Sequence, residues 1–133
     1  MILVDTNVLF DIINEDHAWF EWSSKALVRA ADTDDVAINQ IIYAELSVRY
    51  ASIDDFESAV AGLPLQRLNL PWEAGFLAGK AYKRYRERGG RKSAPMPDFY
   101  IGAHASVQGL TLLTRDARRY RDYFPRLRLI APA

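Results

Sequence analysis

Four acidic residues stand where a carboxylate can do chemistry: Asp5, Glu45, Asp98 and Asp116. Asp5 ends the apolar run ILV at 2–4 and is followed by Thr6 and Asn7. Asp116 lies two residues past the run TLLT at 111–114. Glu45 sits inside IIYAEL, at helical spacing from Ile41, Ala44 and Val48, and Asp98 follows Pro97 and begins a stripe continued by Ile101, Gly102 and Ala105. Each has an ordinary reading by itself. Asp5 and Asp116 can cap the helices that follow them. Asp98 suits the positive end of a helix dipole. Glu45 on an apolar stripe can belong to a buried ion pair.

Brought to one place, the four behave differently. Two carboxylates 4 Å apart repel by about 4 kcal/mol at an effective dielectric of about 20. Such a cluster raises the pKa of some members or holds a cation. With oxygen donors alone the natural ion is Mg²⁺, with Mn²⁺ able to substitute. The chain has no cysteine, and His17 and His104 lie far apart in sequence and read as ordinary polar residues, so zinc is disfavoured. A carboxylate-held Mg²⁺ suits phosphoryl transfer, because it neutralises phosphate charge and lowers the pKa of bound water without a histidine base. Thr6, Asn7 and Thr114 flank the cluster with groups that can bond to carboxylates or phosphate oxygens, or cap helices locally.

The elements that must position these residues alternate. Short apolar strands are expected at 2–4, 35–39, 65–70, 111–114 and 126–130, with helices over 7–13, 17–31, 40–51, 53–62, 72–88, 98–108 and 116–123. Trp19, Trp22, Ser23, Ala26 and Ala30 share one stripe of the second helix, and Ala74, Leu77, Ala78, Ala81 and Tyr85 one stripe of the fifth. Gly89-Gly90 ends that helix, and RKSAPMP is the clearest loop. The alternation argues for an α/β layer fold with a mostly parallel sheet, in which sites gather beyond the carboxyl ends of the strands.

At 133 residues the chain is read as one domain, 1–133. No apolar run approaches the roughly 18–20 residues of a membrane span, and Asp5 interrupts the first run as no signal peptide would. A cytoplasmic setting is expected. Net charge is zero but lopsided: residues 1–75 carry 4 Lys/Arg against 13 Asp/Glu, and residues 76–133 carry 13 against 4. A basic surface facing a polyanion would explain this, as would simple intermixing on folding. The tract KAYKRYRERGGRK at 80–92 offers phosphate contacts through Lys80, Lys83, Arg84 and Arg86, with tyrosines for stacking. Arg115, beside Asp116, is a further candidate. Basic residues also suit the last turns of any helix.

The segments VDTNVL, IIYAEL, PDFYIGAHA and GLTLLTRD, with the ending YFPRLRLI, resemble the PIN-domain ribonucleases, and more narrowly the VapC-type toxins of type II toxin–antitoxin pairs. The resemblance spans essentially the whole chain. It implies a three-layer α/β/α fold with a central sheet of four to five strands. It implies Mg²⁺-dependent hydrolysis of RNA phosphodiester bonds, with Asp5 and Asp98 as the firmest metal ligands and Glu45 and Asp116 completing the set directly or through water. It also implies a VapB-type antitoxin partner and a homodimer. The alternative is a non-catalytic relative that keeps the fold to bind RNA or protein. A metal phosphatase would want a D-x-D pattern, where Asp5 is followed by Thr6 and Asn7. A phospho-acceptor receiver would want an acidic pair at the first strand and a late lysine, and neither is evident.

Overall fold

The computed structural model describes residues 1–91 and 96–133. Five strands, β1 (Ile2–Val4), β2 (Val36–Ile38), β3 (Leu65–Arg67), β4 (Thr111–Leu113) and β5 (Leu129–Ile130), form one sheet in the order β3-β2-β1-β4-β5. All neighbours are parallel; Leu3 lies opposite Ala37 on one side and Leu112 on the other. The middle strands β1 and β2 are wholly buried, as is most of β4, whereas the edge strands β3 and β5 are only partly covered. That gradient is why ILV, VAI and LL are continuous apolar runs while LQR is not.

Strands β1 to β3 progress toward one edge, and the chain then returns to place β4 on the other side of β1. The reversal makes the gap between β1 and β4 the topological switch point of the sheet.

Seven helices lie among the described residues: α1 (Thr6–Ile13), α2 (Phe20–Thr33), α3 (Gln40–Ser47), α4 (Ile53–Val60), α5 (Trp72–Glu87), α6 (Met96–Gln108) and α7 (Arg118–Tyr123). α1 packs on α2 and α3, and α5 on α6. Ala74, Ala78 and Ala81 give α5 a small-residue buried stripe, with Leu77 and Tyr85 half-buried beside it. Gly89 (φ 88°) ends α5 in the left-handed region that favours glycine.

Several boundaries differ from expectation for local reasons. α2 starts at Phe20 rather than 17, because Asp16 Oδ2 accepts from Ala18 N and Trp19 N and holds a turn ahead of the helix. α3 stops at Ser47, whose hydroxyl donates to Ala44 O and competes with the backbone ladder. α6 begins at Met96, with Pro97 in a first turn where its missing N–H costs nothing. Of the expected loop RKSAPMP, residues 92–95 lie outside the described residues.

Candidate functional site

Asp5 follows the last residue of β1 and Thr114 the last residue of β4, so both stand at the switch point. The Asp5 N–H still donates to Leu113 O (2.8 Å), which ties the carboxylate's backbone to the sheet. Asp5 is also the N-cap of α1, its Oδ1 accepting from Thr6 N at 2.8 Å. Capping uses one oxygen. The other, Oδ2, accepts from Thr114 Oγ1 (2.8 Å), Tyr120 Oη (2.9 Å) and Asn7 Nδ2 (3.4 Å). The carboxylate is only 3% exposed. All four donors are neutral. Burial, with Asp98 adding to it, pushes its pKa from 3.8 up to about 6, against the lowering pull of those hydrogen bonds.

The other three acids reach the same region from different elements. Glu45 is half-buried on α3, and its Oε1 accepts from Thr6 Oγ1 at 2.6 Å. Burial raises its pKa, Thr6 opposes this, and Asp98 adds to the rise. Asp98 lies in the first turn of α6; burial raises its pKa, Arg119 pulls it down and Asp116 pushes it up. Asp116 is exposed, and its N–H donates to Thr114 Oγ1 at 3.1 Å. The buried Tyr120 hydroxyl feels Asp5, Asp98 and Glu45 together; with burial these raise its pKa well above 10, so it stays a proton donor to Asp5.

Two expected roles are corrected. Asp116 neither opens nor caps a helix: α7 starts at Arg118 behind Ala117. The buried stripe of α3 is Ile42 and Leu46, while Ala44 and Val48 face solvent, so Glu45 flanks the core rather than sharing a face with those two residues.

Asp98 has a cation on it: Arg119 Nη1 donates to Asp98 Oδ2 at 2.7 Å, and the same guanidinium carbon lies 6.0 Å from the Tyr85 ring centroid. No ion pair involves Asp5, Glu45 or Asp116 among the described residues. Among these residues, too, no three carboxylate or imidazole side chains are arranged as placed to hold one ion. The donor chemistry suits a hard divalent cation, since every candidate ligand is an oxygen, and burial raises the pKa of Asp5, Glu45 and Asp98. The arrangement is one in which Arg119 must leave Asp98 before such an ion could use both its oxygens.

The accessory residues act as a scaffold. Thr6 links the start of α1 to Glu45. Asn7 donates to Thr114 Oγ1 (3.3 Å) and accepts from Arg115 N (3.1 Å), joining the β1 and β4 ends. Arg115, expected on the RNA surface, is committed elsewhere: its Nε and Nη2 donate to both oxygens of Asp11 (2.8 and 3.0 Å) and it lies 5.4 Å from the Trp19 ring centroid. Asp11 is buried and also accepts from Ser23 Oγ (2.7 Å). Trp19 and Trp22 are half-buried and meet edge to face. Lys80, Lys83, Arg84 and Arg86 are exposed on α5, with Lys80 over the Phe76 ring and Arg84 donating to Tyr123 O (3.1 Å).

His104 is buried in α6, its Nδ1 2.9 Å from Asn39 Nδ2 and its Nε2 2.8 Å from Gln108 Oε1. A neutral ring accepting from Asn39 and donating to Gln108 satisfies both, and burial holds its pKa below the ordinary value. It links helices and touches none of the acids through these bonds. Tyr120 and Arg119 were missed as site residues in sequence. The one signal in the sequence was the helical i, i+4 spacing of the aromatics Tyr120 and Phe124, which marks a core-facing side for Tyr120; nothing in it points to Arg119.

The PIN domain model matches residues 2–124, and the chain belongs to the PIN domain family. No curated protein matches it by sequence. Among solved structures it resembles a chain of the VapBC2 complex of Rickettsia felis bound to a promoter DNA fragment, at 21% identity and TM-score 0.74, covering 100% of both chains. It also resembles a chain of a toxin–antitoxin complex from Klebsiella pneumoniae (20%, TM-score 0.70, 100% of this chain and 98% of that one) and one of VapBC-1 from nontypeable Haemophilus influenzae (17%, TM-score 0.72, 98% of each). At these identities the likeness is one of fold.

Proposed function

We propose that the chain is a VapC-type toxin of a type II toxin–antitoxin pair, a Mg²⁺-dependent ribonuclease that hydrolyses RNA phosphodiester bonds, with Mn²⁺ able to substitute. One observation carries this reading. Asp5 is a buried carboxylate at the switch point, surrounded by neutral donors and left with its charge uncompensated beside Asp98. A non-catalytic fold gains nothing from that cost. Asp5 and Asp98 would hold the ion most firmly, with Glu45 and Asp116 completing the set directly or through water. Bound there, the ion would supply charge neutralisation for the phosphate and a more acidic water. Thr114 and Tyr120 fix the Asp5 carboxylate, and Thr6 fixes Glu45. Family membership and the fold shared with VapBC complexes support a nuclease toxin and a VapB-type antitoxin partner. A homodimer in the cytoplasm belongs to the same reading; no described helix is long and apolar enough to cross a membrane.

The Asp98–Arg119 pair favours a second reading, a PIN-fold module that binds RNA or protein without cleaving it, because an acid already neutralised is a poor ligand. Incubation of purified protein with total RNA separates the two. Cleavage in Mg²⁺, none in EDTA and none by Asp5→Asn is expected, with matching new RNA ends sequenced after induced expression. Undiminished cleavage by Asp5→Asn refutes the nuclease reading; RNA binding by a wild type that never cleaves favours the second.

A further inference from the structure

Between the end of β4 and the start of α7 the chain passes through Thr114, Arg115, Asp116 and Ala117 in neither helix nor strand. This short segment carries one of the four acids, and Asp116 is exposed. Thr114 sets its shape and ties its first residue to the sheet: Oγ1 accepts from Asp116 N at 3.1 Å, and the Thr114 N–H donates to Ile130 O at 3.0 Å. Arg115 ties the segment to α1. Its N–H donates to Asn7 Oδ1 at 3.1 Å, and its guanidinium donates through Nε to Asp11 Oδ2 and through Nη2 to Asp11 Oδ1, at 2.8 and 3.0 Å. Asn7 and Asp11 stand at i and i+4 and so share one face of α1. Asp5 is the cap of that same helix. Two acids from distant parts of the chain are thereby referred to one helix, Asp5 through its cap and Asp116 through its flank.

The pair is built more firmly than a surface ion pair. Asp11 is 2% exposed and also accepts from Ser23 Oγ of α2 at 2.7 Å. The guanidinium lies 5.4 Å from the Trp19 ring centroid. One cation of any shape would neutralise Asp11. Two N–H···O bonds from a planar guanidinium fix direction as well as distance, which lysine, a point charge on a flexible stem, does not.

We propose that the Arg115–Asp11 pair is a positioning clasp for the acidic site: it fixes the 114–116 segment on α1 so that Asp116 serves the same divalent cation as Asp5, while Arg115 touches neither the ion nor RNA. The inference rests on the nuclease reading above. Groups that orient metal ligands from behind cost about ten- to a hundredfold in metal affinity or activity when altered, so the clasp is read in ion affinity.

The test measures Mn²⁺ uptake by the protein without RNA, through loss of the electron paramagnetic resonance signal of free Mn²⁺. Arg115→Lys keeps a cation opposite Asp11 and loses the fork. It is expected to stay folded by circular dichroism and to bind Mn²⁺ about tenfold more weakly. Asp11→Asn alters the other partner and should weaken uptake by a similar factor. The double variant should bind no more weakly than the poorer single one, because the two residues act as a unit. Arg67→Lys is the control. Arg67 Nη2 also donates to both oxygens of an acid, Glu57 (2.9 and 2.6 Å), with its guanidinium 5.1 Å from the Tyr43 ring centroid, in a pair that bonds to none of the four acids. It should bind Mn²⁺ as wild type does. In cleavage assays Arg115→Lys should regain the wild-type kcat as Mn²⁺ is raised, with the KM for RNA unchanged at saturating ion. Wild-type Mn²⁺ affinity in Arg115→Lys and Asp11→Asn overturns the clasp and leaves the nuclease reading standing. Equal weakening by Arg67→Lys overturns it too, since any loosened ion pair would then do the same. So does a raised KM at saturating ion with unchanged Mn²⁺ affinity, which would make Arg115 a substrate contact. A wild type that takes up no Mn²⁺ and cleaves no RNA overturns both.

Discussion

Replacing Asp5 by Asn removes a charge that the fold holds at a loss. The carboxyl titrates near 6 in the folded protein and near 3.8 in the unfolded chain. At 1.36 kcal/mol per unit, that difference is worth about 3 kcal/mol. The sign follows from proton counting. Between the two values the folded state holds a proton that the unfolded state has released, so stability is full below about 3.8 and is lost as pH rises through 6. Above pH 7 the ionised Asp5 costs the apo fold about 3 kcal/mol. An asparagine keeps the acceptor for Thr6 N, while Thr114 and Tyr120 can turn their hydroxyls to accept from its amide. One of the donors around Oδ2 is left without its acceptor, at about 1 kcal/mol. The net expectation is a gain of about 1–2 kcal/mol at pH 7.5, a rise in Tm of roughly 5 °C for a domain of this size. The assay is thermal unfolding of both proteins in EDTA, followed by circular dichroism from pH 4.5 to 8. Glu45 and Asp98 also have raised pKa values and tilt both curves alike, so the quantity to read is the difference between the proteins. It should grow with pH and level off above 7. Parallel curves, or a variant less stable than wild type at pH 7.5, would show that Asp5 bears no such charge penalty.

Arg119→Gln should lower apo stability by at most about 1 kcal/mol, since both partners of the Asp98 pair are about a third exposed. It should also enlarge the Tm rise produced by Mg²⁺ or Mn²⁺; an equal or smaller rise than in wild type would mean the arginine does not stand in the ion's way. Gly102→Ala should destabilise the fold by about 1–3 kcal/mol, because a Cβ there would sit 2.5 Å from the Phe124 ring and 3.1 Å from that of Tyr120. Urea unfolding measures it, and near-UV circular dichroism should report the displaced rings; wild-type stability would show that the helix α6–α7 contact yields freely.

Much of this site was readable because its parts sit where chain direction changes. ILV-Asp5 and TLLT-Arg-Asp116 each announce a strand by apolar content and its end by a polar residue, and parallel pairing of β1 with β4 brings the ends together. Asp98 was readable as a first-turn acid from the Pro97 before it, although α6 starts at Met96, two residues ahead of the expected boundary. The face of Glu45 was not. α3 is two turns long, and with so few residues the stripes through Ile41 and through Ile42 are equally apolar; Asn39, capping through Ile42 N at 3.0 Å, sets the phase. Nothing local could reveal the Arg115–Asp11 or Arg119–Asp98 pairs, separated by 104 and 21 residues. ARRYRDYF holds three arginines within four positions, and only the fold distinguishes the one that reaches an acid of the site.

The distribution of cations bears on what the site is for. A buried carboxylate is usually stabilised by pairing, and this chain does so where it wants a static structure: Asp11 receives both arms of Arg115. Asp5, equally buried, receives hydroxyls, an amide and a backbone N–H instead. Those groups orient the oxygens without cancelling the charge, whereas an arginine in their place would remove the demand for any further cation. Most basic residues of α5 and α7 are exposed instead. Among the described residues Arg119 alone pairs with an acid of the site, and it does so from a partly exposed position to a partly exposed acid, where a paired cation is held by little energy and can be exchanged for another. On the proposed function, this separates a permanent negative centre from a replaceable positive one.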